Sequence, residues 1–320
     1  MNPQSLRIIF VVMLPLFILS IDCKKDGGTI IPPDPPPPGE DTTANPRKLI
    51  DNAGYPDWSP TGERIAFVRN DSIRLWYFAD KHEEFITTGT EPNFSPDGKK
   101  ITFERDKKIY WIDVETKQET YLTDGITPNW SANGKWIAFA NKTASRLLTD
   151  GTIIYGEPSP DSSIYYYDLD SNKINRVVIT NYDSLYIGDK LSLFFPTWGM
   201  NDSILFFSSE IGIRQVKITG GIAVLFWFPL PNTTEGLSKK NKITAIGSSG
   251  QQRWNEVTNR LVYWGLLNTG FNQYTPASMI YNFNTGFQDG GIYEATDPCW
   301  EPDGLRFCYH YQNSVWIYKP

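Results

Sequence analysis

Pro92-Asn93-Phe94-Ser95-Pro96-Asp97-Gly98, running on to Ile101-Thr102-Phe103, decides the fold, because the chain repeats it. Before it stands Pro56-Asp57-Trp58-Ser59-Pro60-Thr61-Gly62 with Ile65-Ala66-Phe67. After it come Pro128-Asn129-Trp130 with Ile137-Ala138-Phe139, and Pro196-Thr197-Trp198 with Leu205-Phe206-Phe207. Gln252-Arg253-Trp254 with Leu261-Val262-Tyr263, and Pro298-Cys299-Trp300 with Phe307-Cys308-Tyr309, complete the set. The anchors are Trp58, Phe94, Trp130, Trp198, Trp254 and Trp300. An apolar residue follows each anchor by seven places and an aromatic by nine. A period of this kind means one supersecondary unit used repeatedly.

Each unit predicts strands only. Ser-Pro-Asp-Gly puts Pro at the second position of a type I turn and Gly where a positive φ is wanted. Two further strands follow each hairpin: Lys108 to Val114 and Gln118 to Thr123, then Ser163 to Leu169 and Lys173 to Thr180, then Gly212 to Ile218 and Ile222 to Phe228. The expected fold is therefore all-β, a six-bladed β-propeller of four-stranded antiparallel blades. A single β-sandwich explains the turns but not the repeat. The last repeat stops after Ser314 to Tyr318, one strand short, and Arg47 to Asn52 is an orphan strand before the first. Residues 47–52 are expected to complete the last blade and close the ring, removing an exposed edge.

The Trp-Ser-Pro-Asp-Gly-x-x-Ile-Ala-Phe phrase resembles the repeat of the TolB-type, WD40-like (PD40) propeller family. The resemblance covers residues 47–320. TolB itself carries a six-bladed propeller behind an α/β domain, which residues 24–46 cannot supply. The same blades occur in non-catalytic domains of prolyl oligopeptidase relatives and in bacterial lipoproteins. The resemblance implies a propeller, and points to binding more than to any one chemistry.

The first 22 residues read as an export signal. Arg7 precedes an apolar run from Ile8 to Ile21 that is broken by Pro15, which suits a signal peptide better than a membrane span. Cys23-Lys24-Lys25 then looks like a bacterial lipoprotein processing site, with Cys23 lipidated, although Asp22 stands where such a site has a small residue. Residues 23–46 read as a Pro-rich tether. Pro32 to Pro38 favours polyproline II, so the spacer can hold the domain about 60 Å from the lipid. The expected location is the periplasm or outer membrane, with surface exposure possible, and contact with the membrane only through the lipid.

The net charge of −6 comes without a basic block, so binding to nucleic acid is not expected. The chain holds two histidines, and no nucleophile elbow, His-Glu-x-x-His, Cys-x-x-Cys or phosphate loop. No cofactor, metal or catalytic residue is expected. Asp57, Glu91 and Asp297 lie near the anchors and could line a solvated channel mouth, and a converging cluster of three acids there would favour an enzyme. Asp113 and Asp168 read as turn caps. Cys299 and Cys308 share one hairpin. They face each other if the Asp303-Gly304 turn is a two-residue loop, which would allow a disulfide, and point to opposite faces if it carries a Gly bulge.

The insertions say most about function. Residues 141–162 and 265–278 join second to third strands, and 181–195 and 229–251 join fourth strands to the next unit. Both kinds of connection emerge on one face of such a ring. These stretches carry Tyr155, Tyr182, Tyr186, Phe194, Phe195, Phe271 and Tyr274, residue types favoured in recognition. The expected function is a monomeric, envelope-anchored scaffold that binds a protein or peptide. The rivals are an enzyme acting on envelope polysaccharide or peptide, and a sugar-binding module.

Overall fold

The structure, a computed structural model, describes residues 30–31, 45–141, 146–147, 153–154, 164–177, 179–180, 193–209, 212–219, 222–227, 251–270, 273–285 and 287–320. Every regular element among them is a strand. The first sheet holds Gly54–Trp58, Arg64–Arg69, Ser72–Tyr77 and Glu83–Thr88. The second holds Thr90–Phe94, Lys100–Arg105, Lys108–Asp113 and Glu119–Asp124. Ile126–Trp130, Trp136–Ala140, Ile164–Asp168 and Lys173–Arg176 make the third. Leu193–Gly199, Ile204–Ser209, Gly212–Thr219 and Ile222–Trp227 make the fourth. The fifth has Gln252–Asn255, Arg260–Gly270, Gln273–Asn282 and Phe287–Tyr293.

The sixth sheet joins the two ends of the chain. Thr296–Trp300, Phe307–Tyr311 and Ser314–Tyr318 are followed at the outer edge by Arg47–Asp51. That strand runs antiparallel to Ser314–Tyr318, with Arg47 opposite Ile317 and Asp51 opposite Ser314.

The first strand of each sheet touches the first strand of the next, and Thr296–Trp300 touches Gly54–Trp58. The apolar core lies in the gaps between sheets. Trp58, Phe67, Cys299, Cys308, Val315 and Ile50 pack where the sixth sheet meets the first. Phe94, Phe103, Ile73 and Leu75 pack where the first meets the second. Five of the six anchors are buried, with Trp58, Phe94, Trp198 and Trp300 each 5% exposed, and Trp254 is partly buried against the core of the fifth sheet.

The repeated turn has a common geometry. Ser95 and Lys100 pair through backbone and side chain, Gly98 N–H donates to Ser95 O at 2.8 Å, and Gly98 sits at φ 69°. At this φ any residue but Gly is strained. On the opposite face the short second-to-third connections are two-residue turns: Asn70-Asp71, Asp106-Lys107 and Gln312-Asn313 all have positive φ. That is the type I′ pattern, whose twist matches the flanking strands.

Four details depart from the sequence reading. The outer strand of the third sheet ends at Arg176, and Ile179–Thr180 instead runs parallel to Ala223 and Val224, giving the fourth sheet a fifth strand. Ile30–Ile31, inside the expected spacer, runs parallel to Gly291 and Ile292 and gives the fifth sheet its fifth strand. Residues 265–278 are not a loop. The strands of the fifth sheet continue through them as one antiparallel ribbon, from Gly265 opposite Ala277 to Gly270 opposite Gln273, and Arg260–Gly270 spans 11 residues. The insertion at 141–162 carries its own two-residue ladder, Arg146–Leu147 with Ile153–Ile154. Residues 1–29 and 32–44, with Cys23, lie outside the described residues. No helix among the described residues is long and apolar enough to cross a membrane.

Candidate functional site at the ring centre

The centre of the ring is built from the three residues that precede each anchor. Register shifts interrupt the inner hairpins between Gly54 and Asp57, Thr90 and Asn93, Ile126 and Asn129, Phe194 and Thr197, and Thr296 and Cys299. In each shift one non-glycine residue is left-handed: Tyr55, Glu91, Thr127, Phe195 and Asp297, all between φ 49° and 54°. Each immediately precedes a Pro, which disfavours the ordinary helical basin for the residue before it. The bulge re-aims the side chains around it. The fifth inner strand has Gln252 in place of Pro and pairs without a shift.

The residue just before each anchor ties one sheet to the next. Asp57 Oδ2 accepts Phe94 N–H at 2.8 Å, and Asn93 Oδ1 accepts Trp130 N–H at 2.7 Å. Asn129 Oδ1 accepts Trp198 N–H at 3.1 Å, and Thr197 Oγ1 donates to Gln252 O at 2.6 Å. Between the last sheet and the first, Trp58 N–H donates to Cys299 Sγ at 3.4 Å. Arg253 departs from this pattern. Its Nε reaches across to Asp57 Oδ1 at 3.2 Å; Asp57 is buried and the Arg253 side chain is 11% exposed. Asn93 Nδ2 and Cys299 Sγ also donate to Asp57. Asp57 is thus saturated by partners from three other sheets.

The other two acids lie at the mouth from which the long connections rise. Inner strands enter the ring from that face, so residues three before the anchor sit there. Glu91 and Asp297 are 5% and 1% exposed. They do not line a solvated channel, as their polarity suggested, because the bulges turn them inward. Thr296 Oγ1 donates to Asp297 Oδ2 at 3.2 Å and lies 3.2 Å from His310 Nδ1. His310 Nδ1 is itself 3.8 Å from Asp297 Oδ2. Burial pushes the Asp297 carboxyl up to about 7; the Thr296 hydroxyl opposes this, and the charge of Glu91 adds to it. Burial holds the His310 imidazole below its ordinary value. The Trp264 indole faces Asp297 without forming a well-shaped hydrogen bond. No cluster of three His, Cys, Asp or Glu among the described residues could hold a metal.

The recognition aromatics fare unevenly. Phe195 is 6% exposed and packs with Trp198 and Phe207, and its N–H donates to Thr127 Oγ1 at 3.3 Å. It is core, because the bulge before Pro196 turns it inward. Phe194 and Tyr274 belong to strands whose side chains there lie outside the described residues, as do Tyr155, Tyr182, Tyr186 and Phe271 altogether. Asp113 and Asp168 cap turns: Asp113 Oδ1 accepts Thr116 N–H at 2.8 Å and Asp168 Oδ1 accepts Asp170 N–H at 2.9 Å. Cys299 and Cys308 are direct cross-strand partners, in the register of the two-residue alternative, yet the loop between them is longer: Glu301 N–H bonds Arg306 O around it. Both thiols are free and buried.

The chain matches no family model, and no curated protein matches its sequence. Solved structures match its shape. A protein assigned as TolB from Agrobacterium tumefaciens superposes with a TM-score of 0.55 at 15% identity, over 85% of this chain and 91% of that one. The chain is a β-propeller of four-stranded antiparallel blades. A gluconolactonase from Xanthomonas campestris superposes with a TM-score of 0.60 at 13% identity, over 92% of this chain and 98% of that one. The tricorn protease gives 0.50 at 12% identity, and there the match spans 34% of the larger protein. At such identities the likeness carries the fold alone. The centre of this propeller holds the Asp57–Arg253 pair and the buried acids Glu91 and Asp297.

Proposed function

We propose that the chain is a closed, six-bladed propeller, anchored at the cell envelope, that binds a protein or peptide on the face bearing its long connections. The one observation that carries the binding reading is the extension of the fifth sheet. Its second and third strands run on as a paired ribbon to Gly270 and Gln273, where the first, second and sixth sheets use two-residue turns. A ribbon on a rigid ring presents a preorganised surface for recognition. The six-blade count rests on the six sheets and on inner strands that contact one another in succession from first to last and back. Asp57, saturated by its neighbours, favours a structural centre over a catalytic one.

Replacing 265–277 with a short Gly-Ser turn is expected to abolish capture of the partner in envelope crosslinking and to leave the propeller folded, although it removes the buried Ala277 at the base of the ribbon. Lys99→Glu and Lys117→Glu, on the opposite face, should leave capture intact. The reverse pattern would move the site to the other mouth. The anchor reading rests on Cys23 after the apolar run. Palmitate is expected to label the wild type and not Cys23→Ala, which should be released or left unprocessed. Absence of label in the wild type would mean that Asp22 blocks processing.

The enzyme reading keeps one observation in its favour: Glu91 and Asp297 interact electrostatically at the mouth, and Asp297 titrates near neutrality. Turnover of envelope polysaccharide or peptide fragments by the wild type but not by Asp297→Asn would support it over binding.

A further inference from the structure

We infer that Ile30–Ile31 is a strap, which seals the outer edge of the fifth sheet as a parallel strand and so holds the N-terminal segment against the ring, where the sequence reads as a free spacer.

The outer edges of the six sheets divide by charge. An unpaired strand edge invites pairing with other chains, and charged residues on it are a common guard. The outer strands of the first, second, third and sixth sheets each carry at least two charged residues, such as Lys173 and Arg176 in the third and Arg47 and Lys48 in the sixth. Among the described residues no further strand lies beyond these four. The outer strand of the fourth sheet, Ile222–Trp227, carries no charge, and Ile179–Thr180 covers it. Phe287–Tyr293 in the fifth carries Asp289 alone. That carboxylate is taken up inside the sheet, where its Oδ2 accepts from Arg260 Nε at 2.9 Å and from Asn282 Nδ2 at 2.8 Å. The two edges that lack a charged guard are the two that have a cover.

The fifth edge cannot take the guard its neighbours use. A Cβ on Gly291 would lie 2.3 Å from Ser278 O and 3.1 Å from Met279 Cα, both backbone atoms of the adjoining strand. Gly290 sits at φ 136°, which strains any residue with a side chain. A charged residue is therefore excluded from the middle of this edge, and a cover is the remaining protection. The cover fits that place: Ile30 stands opposite Gly291 and Ile31 opposite Ile292. Ile is a residue type that favours strands. Pro32 and Pro33, which follow, have no N–H with which to continue a ladder.

The strap shortens the reach of the N-terminus. Cys23 lies seven residues before Ile30, a distance of at most about 25 Å even in a fully extended chain. On the anchor reading above, on which this consequence rests, the ring is held close to the membrane with the outer edge of its fifth sheet toward the lipid.

Hydrogen exchange and crosslinking of the full chain test the strap, and the same measurements on Cys23→Ala separate it from the anchor. Ile30→Pro with Ile31→Pro removes both N–H groups of the strand and should speed amide exchange over residues 290–293 about tenfold, with Gly54–Trp58 unchanged. Ile30→Val with Ile31→Val keeps β-branched residues and should leave exchange as in the wild type. A diazirine analogue of leucine at position 30 should crosslink to residues 287–293 of the same chain. In a mixture of isotopically light and heavy copies, the adducts should join light to light and heavy to heavy. Equal exchange in the wild type and the Pro variant, or no adduct on 287–293, would overturn the strap. So would adducts that join light to heavy copies, because a second copy would then supply the strand. The crosslink stands as a test even if the Pro variant does not fold. An adduct in a wild type that takes no palmitate would keep the strap and remove its membrane consequence.

Discussion

A chain that begins at Tyr55 is expected to melt at least about 10 °C below the full-length protein, or not to fold at all. It lacks Arg47–Asp51, the outer strand paired with Ser314–Tyr318. It also loses Ile50 and Ala53, which are 3% and 2% exposed and pack with Trp58 and Val315 at the seam. The loss bares an unpaired edge and an apolar gap at once. Ile50→Ala isolates the packing part and should cost about 3 kcal/mol. If the truncated chain melts with the full-length protein, the N-terminal strand is an ornament and the ring holds without it.

The second large effect is expected at Asp57. Asp57→Ala should destabilise the fold by about 3–5 kcal/mol, because it strands the Arg253 guanidinium in a buried place and leaves Phe94 N–H without its acceptor. Asp57→Asn keeps an acceptor for that N–H and should cost less. The informative comparison is Asp57→Ala with Arg253→Leu. Removing both charges should cost less than removing Asp57 alone, since no buried cation is then left over. Additive losses in chemical denaturation would mean that the pair is not coupled and that the centre is held by the inter-sheet hydrogen bonds alone.

The repeat was legible because its signal is local. An apolar residue and an aromatic at fixed distances from each anchor report the same packing six times over, and no partner outside the unit is needed to read them. The centre was not legible for the opposite reason. The residue before each anchor varies as Asp57, Asn93, Asn129, Thr197, Arg253 and Cys299, and, Arg253 apart, its partner is a backbone group in the next sheet, 37 residues on for Asp57 and Asn93. One signal was available: Asp or Asn in three successive copies, always between Pro and the aromatic. Phe195 misled because an aromatic beside Phe194 and Pro196 looks like an exposed loop tip, whereas a left-handed bulge turns it into the core. Residues 265–278 misled through Gly265, Asn268, Gly270 and Pro276, which break strands in most settings. Here Pro276 stands opposite Leu266 within a long ribbon. The one-sided placement of the insertions, by contrast, followed from strand order alone.

Whether the ribbon-bearing face is the recognition face is settled most directly by site-specific photocrosslinking in intact cells. A photoreactive residue at Gln312, exposed in a turn on that face, is set against one at Lys99, exposed in a turn on the other. A discrete partner adduct from position 312, absent from position 99 and lost when 265–277 is replaced, is the expected result. An adduct from position 99 alone would contradict it.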